Sequence, residues 1–176
     1  MVNKNNIILI AGGGTGGHLF PAISIGEKLE ESGLTVYYIG SKYGIEKKFY
    51  AEKNLKYFLL NITGINRGYN LRSILKNLLF PINFIISYLQ TLKLILKYKP
   101  KAIIGTGGYC SGVPLILGIN FKIPTFIQDQ NLVPGLITKV LHNKMNKIFV
   151  GYKNIQNINK DKCIYTGNPI RKEIII

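Results

Sequence analysis

Residues 7–18 read IILIAGGGTGGH and carry the strongest local signal in this chain. The five apolar residues predict a buried β-strand. The glycines predict a tight turn into a helix, which we place at Pro21 to Ser32 with Gly33 as its C-terminal stop. A strand, a glycine turn and a helix in this order direct backbone N–H groups and the positive end of the helix dipole towards an anion. The segment therefore predicts an anion-binding turn.

Short apolar runs recur along the chain, with helix-like segments such as Ile45 to Lys53 between several of them. Short, nearly all-apolar strands that alternate with helices are typical of a parallel sheet covered on both faces. We therefore predict an α/β fold, a Rossmann-like doubly wound parallel sheet. The predicted strands are Ile7 to Ala11, Val36 to Ile39, Tyr57 to Leu60, Ala102 to Ile104, Thr125 to Ile127, Lys147 to Val150 and Ile164 to Thr166.

A second glycine loop, GTGGYCSG at residues 105–112, follows the strand Ala102 to Ile104. A polar cluster, QDQN at residues 128–131, follows the next strand. The carboxyl ends of parallel strands meet at one edge of a sheet, so both segments are expected to line the same crevice. The alternatives are tight turns without a ligand for the loops, and capping of a helix that begins near Pro134 for Asp129 or Asn131.

Other nucleotide and metal sites fit the pattern less well. Gly12, Gly14 and Gly17 satisfy G-x-G-x-x-G, but the second strand ends in Gly40-Ser41-Lys42 without the acidic residue that a dinucleotide ribose requires. The first loop lacks the Gly-Lys-Ser/Thr of a phosphate-binding P-loop. There is no Asp-x-Asp, and the two cysteines have neither metal-ligand nor disulfide-framework spacing. We predict no bound metal and no cofactor.

The chain has 176 residues, 47% of them apolar and 18% charged, which indicates one compact domain and excludes a disordered class. The net charge is +15, and ten Lys or Arg but no Asp or Glu lie between Glu52 and Asp129. Such a basic region indicates an anionic membrane, a phosphorylated substrate or nucleic acid, unless the charge only solvates the surface. A nucleic-acid motif and an aromatic stacking platform are missing, so we do not expect a nucleic-acid partner.

Leu71 to Lys101 is apolar, is interrupted by Pro81 and has Lys or Arg at both ends. Its uninterrupted apolar stretch is shorter than the roughly 20 residues of a spanning helix. Apolar helices flanked by cations suit an anionic membrane interface, although packing on the sheet is the alternative. The polar N-terminus has no signal-peptide pattern, so we expect a cytoplasmic chain with free thiols.

Four motifs, in order and spacing, resemble the MurG family of glycosyltransferases. They are residues 13–18 (GGTGGH), 107–112 (GGYCSG), 129–131 (DQN) and 167–171 (GNPIR). The resemblance covers essentially the whole chain and implies the N-terminal half of a GT-B fold. Residues 1–167 would form the acceptor- and membrane-binding domain, and residues 168–176 would begin a linker to a donor-binding domain that this sequence lacks.

The resemblance implies inverting transfer of N-acetylglucosamine from UDP-N-acetylglucosamine to a polyprenyl-diphosphate-linked muramyl-pentapeptide in peptidoglycan synthesis. It implies a peripheral position on the cytoplasmic face of the inner membrane, and little activity without the donor-binding domain. The alternative is a noncatalytic membrane-recruiting subunit of a split glycosyltransferase.

The same resemblance assigns His18 as the general base, because imidazole titrates near neutral pH. The alternatives are a structural histidine, with a carboxylate or the substrate itself as the base. The family commonly has His-Glu at the positions of Gln128 and Asp129, which leaves their roles open. The implied donor contacts are Thr15, Gly16, Gly17, Asn131 and Arg171, and the implied acceptor-diphosphate loops contain Gly14, Gly107, Gly108, Tyr109 and Ser111.

Overall fold

The computed structural model describes residues 6–64 and 77–171, and within them seven parallel strands form one sheet in the order β3-β2-β1-β4-β5-β6-β7. The strands are β1 Ile7–Ala11, β2 Thr35–Ser41, β3 Tyr57–Leu60, β4 Ala102–Gly105, β5 Thr125–Asp129, β6 Lys147–Val150 and β7 Cys163–Tyr165. The helices are α1 Gly16–Glu31, α2 Glu46–Glu52, α3 Phe80–Tyr98, α4 Tyr109–Asn120 and α5 Leu136–Leu141, with short 3-10 turns at His142–Lys144 and Lys160–Lys162.

The predicted doubly wound sheet is confirmed, and each of the seven predicted strands is present to within two residues at either end. The predicted start of the first helix was wrong. Helix α1 begins at Gly16, five residues before Pro21, because Thr15 is extended (φ −144°) and its carbonyl already accepts the N–H of Leu19 at 3.0 Å. The last glycines of the first loop therefore form the first turn of the helix.

Strand β1 separates two apolar cores. Ile7, Leu9 and Ala11 face one core, to which α3, α4 and α5 contribute, whereas Ile8 and Ile10 face the other core, built with α1 and α2. All five side chains are buried, which explains why β1 is apolar at every position rather than at alternate ones. Each fully buried Ile or Leu contributes about 1.5–3 kcal/mol relative to an exposed one.

The chain reverses its direction of winding at β1, which pairs with β2 on one side and β4 on the other. In open α/β sheets, ligands bind at this switch point, beyond the carboxyl ends of the strands. Both glycine loops follow these strands, so the fold brings them together. Among the described residues, no helix has the length and apolar character required to cross a membrane.

Candidate functional site

The two glycine loops touch each other directly. Strands β1 and β4 pair in register, with Ala11 opposite Gly105, and the Thr106 N–H continues the pairing to the Ala11 carbonyl at 2.9 Å. Gly108 has φ +72°, and a Cβ added there would lie 2.4 Å from the Gly13 carbonyl oxygen. The loops therefore pack backbone against backbone, and this close approach requires glycine at position 108.

His18 lies in the first turn of α1, between the two loops, and is half-buried. Its Nδ1 lies 2.9 Å from the Thr106 carbonyl oxygen and 3.3 Å from Oε1 of Gln130. The hydroxyl of Thr106 in turn donates to the His18 carbonyl at 2.7 Å. A carbonyl oxygen can only accept, so in a neutral His18 ring Nδ1 carries the proton and the lone pair is on Nε2.

Glu46 closes the first loop from beneath, and sequence reasoning did not identify it. This side chain is 0% exposed. One carboxylate oxygen accepts the Gly14 N–H at 2.9 Å, and the other accepts the Ser41 N–H at 2.7 Å. An added Cβ at Gly13, Gly40 or Gly44 would come within 2.5 Å of the Glu46 side chain. The glycines around this carboxylate were the available signal in the sequence.

This carboxylate is not the acidic residue of a dinucleotide site. Both Glu46 oxygens bind backbone N–H groups, and the side chain is inaccessible to a ribose. The bond to Gly14 also occupies the N–H at the centre of the first loop. The N–H groups of His18 and Leu19 donate to the Thr15 carbonyl, so an anion at this turn would meet the N–H groups of Gly16 and Gly17 at the start of α1.

Tyr109 and Cys110 begin α4 next to this buried carboxylate. Tyr109 packs over Gly14, where an added Cβ would lie 2.8 Å from its ring, and against Gly64 on the other side. Burial raises the pKa of the Cys110 thiol and, more modestly, that of the Tyr109 hydroxyl, and the negative charge of Glu46 raises both further. Cys110 is therefore an un-ionised core thiol and not a nucleophile.

The polar cluster at the end of β5, residues 128–131, contains side chains with different partners. Asp129 accepts hydrogen bonds from the Asn131 N–H at 3.0 Å, the Gly135 N–H at 2.9 Å and the Thr138 hydroxyl at 2.6 Å. It therefore organises the start of α5, in agreement with the capping alternative. The side chain of Gln130 points the other way, towards His18.

The predicted contact residues do not all reach the crevice. Thr15, Gly17 and Asn131 are exposed around it, and Gly16 and Gly107 are partly exposed there. The Arg171 guanidinium lies 4.3 Å from the Phe20 ring centroid, on the second turn of α1. Ser111 is fully buried, and its hydroxyl donates to the Gly108 carbonyl at 2.9 Å, so it shapes the second loop from behind.

Together these residues surround the carboxyl ends of β1 and β4, with His18 between the two loops. The N-terminus of α1 is the positive end of its dipole, the Arg171 guanidinium lies beside the second turn of that helix, and a neutral His18 can accept a proton at Nε2. Within residues 6–64 and 77–171, no three His, Cys, Asp or Glu side chains lie close enough together to hold a metal ion. A positive helix end beside a proton acceptor is an arrangement that can serve group transfer at a phosphorylated substrate.

Residues 8–150 match the glycosyltransferase family 28 N-terminal domain. The chain is 36% identical over 170 residues to the UDP-N-acetylglucosamine–N-acetylmuramyl-(pentapeptide) pyrophosphoryl-undecaprenol N-acetylglucosamine transferase of Flavobacterium psychrophilum, covering 95% of this chain and 45% of that protein. It is 35% identical to the same transferase of Latilactobacillus sakei, covering 94% of this chain and 47% of the relative. The chain therefore spans about half the length of the curated relatives that it matches.

Several solved structures share the fold, among them a MurG and an epimerase. MurG of Acinetobacter baumannii superimposes with a TM-score of 0.79 at 21% identity, over 95% of this chain and 47% of that one. The UDP-GlcNAc 2-epimerase of Methanocaldococcus jannaschii does so with a TM-score of 0.64 at 16% identity, over 92% of this chain and 45% of that one. The same fold thus occurs in proteins named for two different reactions, so the fold alone does not identify the reaction of this chain.

Proposed function

The chain belongs to the glycosyltransferase family 28 N-terminal domain family, and from this we propose that it is the acceptor-binding half of an N-acetylglucosaminyltransferase of peptidoglycan synthesis. The resemblance to MurG and the Rossmann-like half of a GT-B fold, both predicted from the motifs, are confirmed. The reaction that we propose is inverting transfer from UDP-N-acetylglucosamine to a polyprenyl-diphosphate-linked muramyl-pentapeptide.

The orientation of His18 carries this proposal. With Nδ1 donating to Thr106, the lone pair of Nε2 is available to the 4-hydroxyl of an acceptor sugar. As that oxygen attacks the anomeric carbon of the donor, its proton passes to Nε2 and the bond to the UDP oxygen breaks. The leaving diphosphate gains negative charge, which the α1 dipole and Arg171 stabilise.

The crevice offers separate surfaces to the two substrates. We assign the donor diphosphate to the exposed turn of Thr15, Gly16 and Gly17, with Asn131 and Arg171 beside it. The acceptor diphosphate is assigned to the second loop at Gly107 and Gly108. In that arrangement Gly14, Tyr109 and Ser111 maintain the shape of the loops, because the Gly14 N–H and the Ser111 hydroxyl have partners inside the protein.

The donor-binding domain is the partner that this chain needs. Its curated relatives are about twice as long, and we propose that their second half supplies the remaining donor contacts. The domain boundary is placed at Gly167, which has φ +72°. Asn168 and Arg171 still contact the domain beyond that point, so the first residues of the linker pack on it. We expect little transfer by the chain alone.

Helix α3 supports a membrane-bound acceptor. One side packs on the sheet through Ser87, Thr91 and Ile95, which are buried. The other side exposes an apolar stripe, and exposed lysines lie within and beyond its C-terminal end. The stripe comprises Leu78, Leu79, Ile82, Ile85, Leu89 and Leu96, and the lysines are Lys93, Lys97 and Lys99. Residues 71–76 of the predicted membrane segment lie outside the described residues.

An exposed apolar stripe beside cations suits the surface of an anionic bilayer. We therefore propose peripheral attachment to the cytoplasmic face of the inner membrane, with no nucleic-acid partner. The same stripe favours the second candidate, a noncatalytic recruiting subunit. Such a subunit has no need of the buried bonds that orient His18, and this difference favours the transferase.

The test is sugar transfer from UDP-N-acetylglucosamine to the lipid-linked acceptor, measured with this chain alone, with a separately expressed donor-binding domain alone, and with both. We expect transfer only in the mixture. Absence of transfer in a mixture whose two domains bind each other would leave the recruiting subunit as the better description.

Membrane contact is tested by sedimentation with anionic vesicles. We expect Ile85→Glu to lower the vesicle-bound fraction more than about tenfold, because the substitution replaces an exposed apolar side chain that would enter the bilayer with a negative charge. Ile164→Glu, on exposed β7, is the matched control and should bind as the wild type does. If the two variants bind vesicles equally, α3 does not contact the membrane.

A further inference from the structure

Three side-chain amides connect the segment after β7 to the ring of His18. Nε2 of Gln128 donates to Oδ1 of Asn168 at 3.3 Å, and Nε2 of Gln130 donates to Oε1 of Gln128 at 2.5 Å. Oε1 of Gln130 then lies 3.3 Å from Nδ1 of His18. Gln128, the central amide of the three, is 1% exposed, whereas Asn168 lies at the surface.

The hydrogen bonds between the three amides are consistent with only one direction of donation. Nε2 of Gln130 also donates to the Thr106 carbonyl at 2.8 Å, which fixes its NH2 group on that side and leaves its oxygen facing His18. The same carbonyl and the oxygen of Gln130 are both acceptors, so Nδ1 of His18 must be the donor. A buried amide that reversed its direction would set donor against donor, which costs about 1–3 kcal/mol.

We propose that Gln128 and Gln130 are positioning residues that fix the tautomer and the ring plane of His18. Asn168 connects these two amides to the start of the interdomain linker, and we call the three amides together the relay. The role in catalysis rests on the proposed transferase function. Two oxygens hold the Nδ1 proton, so Nε2 remains the proton acceptor. The same two oxygens stabilise the imidazolium that forms once Nε2 has accepted the proton of the sugar hydroxyl.

A side-chain amide carries its NH2 donors and its carbonyl acceptor in fixed relation, so Gln128 can donate to Asn168 and accept from Gln130 at the same time. Asn168 also donates to the Gln130 backbone carbonyl at 3.3 Å, and the linker segment therefore touches both glutamines. Displacement of this segment would free Gln128 to reverse, and the orientation of His18 would loosen.

The test uses the 15N-labelled chain without substrate, at a pH about two units above the ordinary imidazole pKa. Long-range 1H–15N correlation spectra distinguish the two tautomers of each imidazole. The chain has two histidines, and His142 is an internal control with the opposite expected tautomer. Its Nδ1 accepts the Asn159 N–H at 2.9 Å and therefore carries no proton in the neutral ring. We expect His18 with the proton on Nδ1 and His142 with the proton on Nε2.

Gln128→Leu is expected to lower the ratio of the two His18 tautomers about fivefold, the effect of one lost hydrogen bond, and to leave His142 unchanged. Asn168→Ala, at an exposed position that does not threaten folding, should shift the ratio in the same direction. Gln156→Leu removes an exposed amide as the matched control and should shift nothing. A His18 proton on Nε2, or a ratio insensitive to both relay variants, overturns the proposal.

Transfer assays with the donor-binding domain test the relay separately from the proposed transferase function. Gln128→Leu should lower kcat and leave the KM for UDP-N-acetylglucosamine unchanged, because the relay acts on the base and not on donor binding. Correct tautomers without any transfer would refute the transferase and leave the relay intact. Transfer with an unchanged kcat in Gln128→Leu would refute the relay alone.

Discussion

The first loop depends on the buried carboxylate of Glu46, and replacing it with glutamine changes hydrogen bonding with almost no change of shape. In the wild type, the two oxygens accept the N–H groups of Gly14 and Ser41 at 2.9 and 2.7 Å. A glutamine can accept only one of them. Its NH2 group must then face the other N–H, at a site that is 0% exposed and closed to water.

The expected loss of stability follows from these bonds. A hydrogen bond to a charged group contributes about 1.5–3 kcal/mol, and a buried donor left without a partner costs about 1–3 kcal/mol. A neutral amide is easier to bury than a carboxylate, which offsets part of this cost. We therefore expect Glu46→Gln to lower the free energy of unfolding by about 2–4 kcal/mol. For a domain of this size, that corresponds to a decrease in Tm of roughly 5–15 °C.

The assay is thermal and denaturant unfolding of Glu46→Gln beside Glu52→Gln, which makes the same change on the same helix. Glu52 is exposed and pairs with Lys48 at 3.7 Å, so its substitution should cost less than about 1 kcal/mol. If the two variants unfold at the same midpoint, the bonds from Glu46 to the loop do not stabilise the domain, and the reasoning is refuted.

Two further predictions concern the packed loops. Gly108→Ala should lower Tm more than Gly33→Ala, although both glycines have positive φ. The new Cβ would lie 2.4 Å from the Gly13 carbonyl oxygen at position 108, whereas it would meet nothing within 4 Å at position 33. Equal decreases in Tm would mean that the loops do not touch. The second prediction concerns alkaline pH. Burial raises the pKa of Cys110 above its ordinary 9.0, so the unfolded chain releases a proton that the folded chain keeps. The protonated Cys110 thiol therefore makes its full contribution to the free energy of unfolding below about pH 9. Above that pH, this contribution falls by about 1.4 kcal/mol per pH unit. Denaturant unfolding of Cys110→Ala should lose this slope between pH 9 and 10, whereas the less buried Cys163→Ala should retain it, and a slope unchanged in Cys110→Ala would contradict the assignment.

The sheet could be predicted because its signals are local. Strands β1 and β4 are largely buried on both faces and carry no polar side chain, and a glycine loop directly follows each of them. The crevice followed from topology, since strand ends at a switch point must converge. The start of α1 was missed because Gly16 and Gly17 read as a turn, although the extended Thr15 lets them form the first helical turn.

The supports beneath the site could not be predicted, since they join distant parts of the chain through side-chain direction. Glu46 looks like an ordinary exposed residue of a charged helix, and only the tertiary packing turns it under the first loop. Ser111 belongs to a recognised motif but faces away from the crevice. Gln128 and Asn168 are forty positions apart, and no sequence pattern indicates that their amides meet.

The central claim is that the crevice around His18 performs the transfer. It is tested most directly by the turnover of His18→Ala in the reconstituted two-domain enzyme, with His142→Ala as the matched control. We predict that kcat falls by about 10²–10⁴-fold for His18→Ala, the usual contribution of a general base, with little change in the KM for UDP-N-acetylglucosamine. His142 binds the Asn159 N–H away from the loops, and its substitution should leave turnover unchanged. A folded His18→Ala enzyme with wild-type turnover would contradict the account.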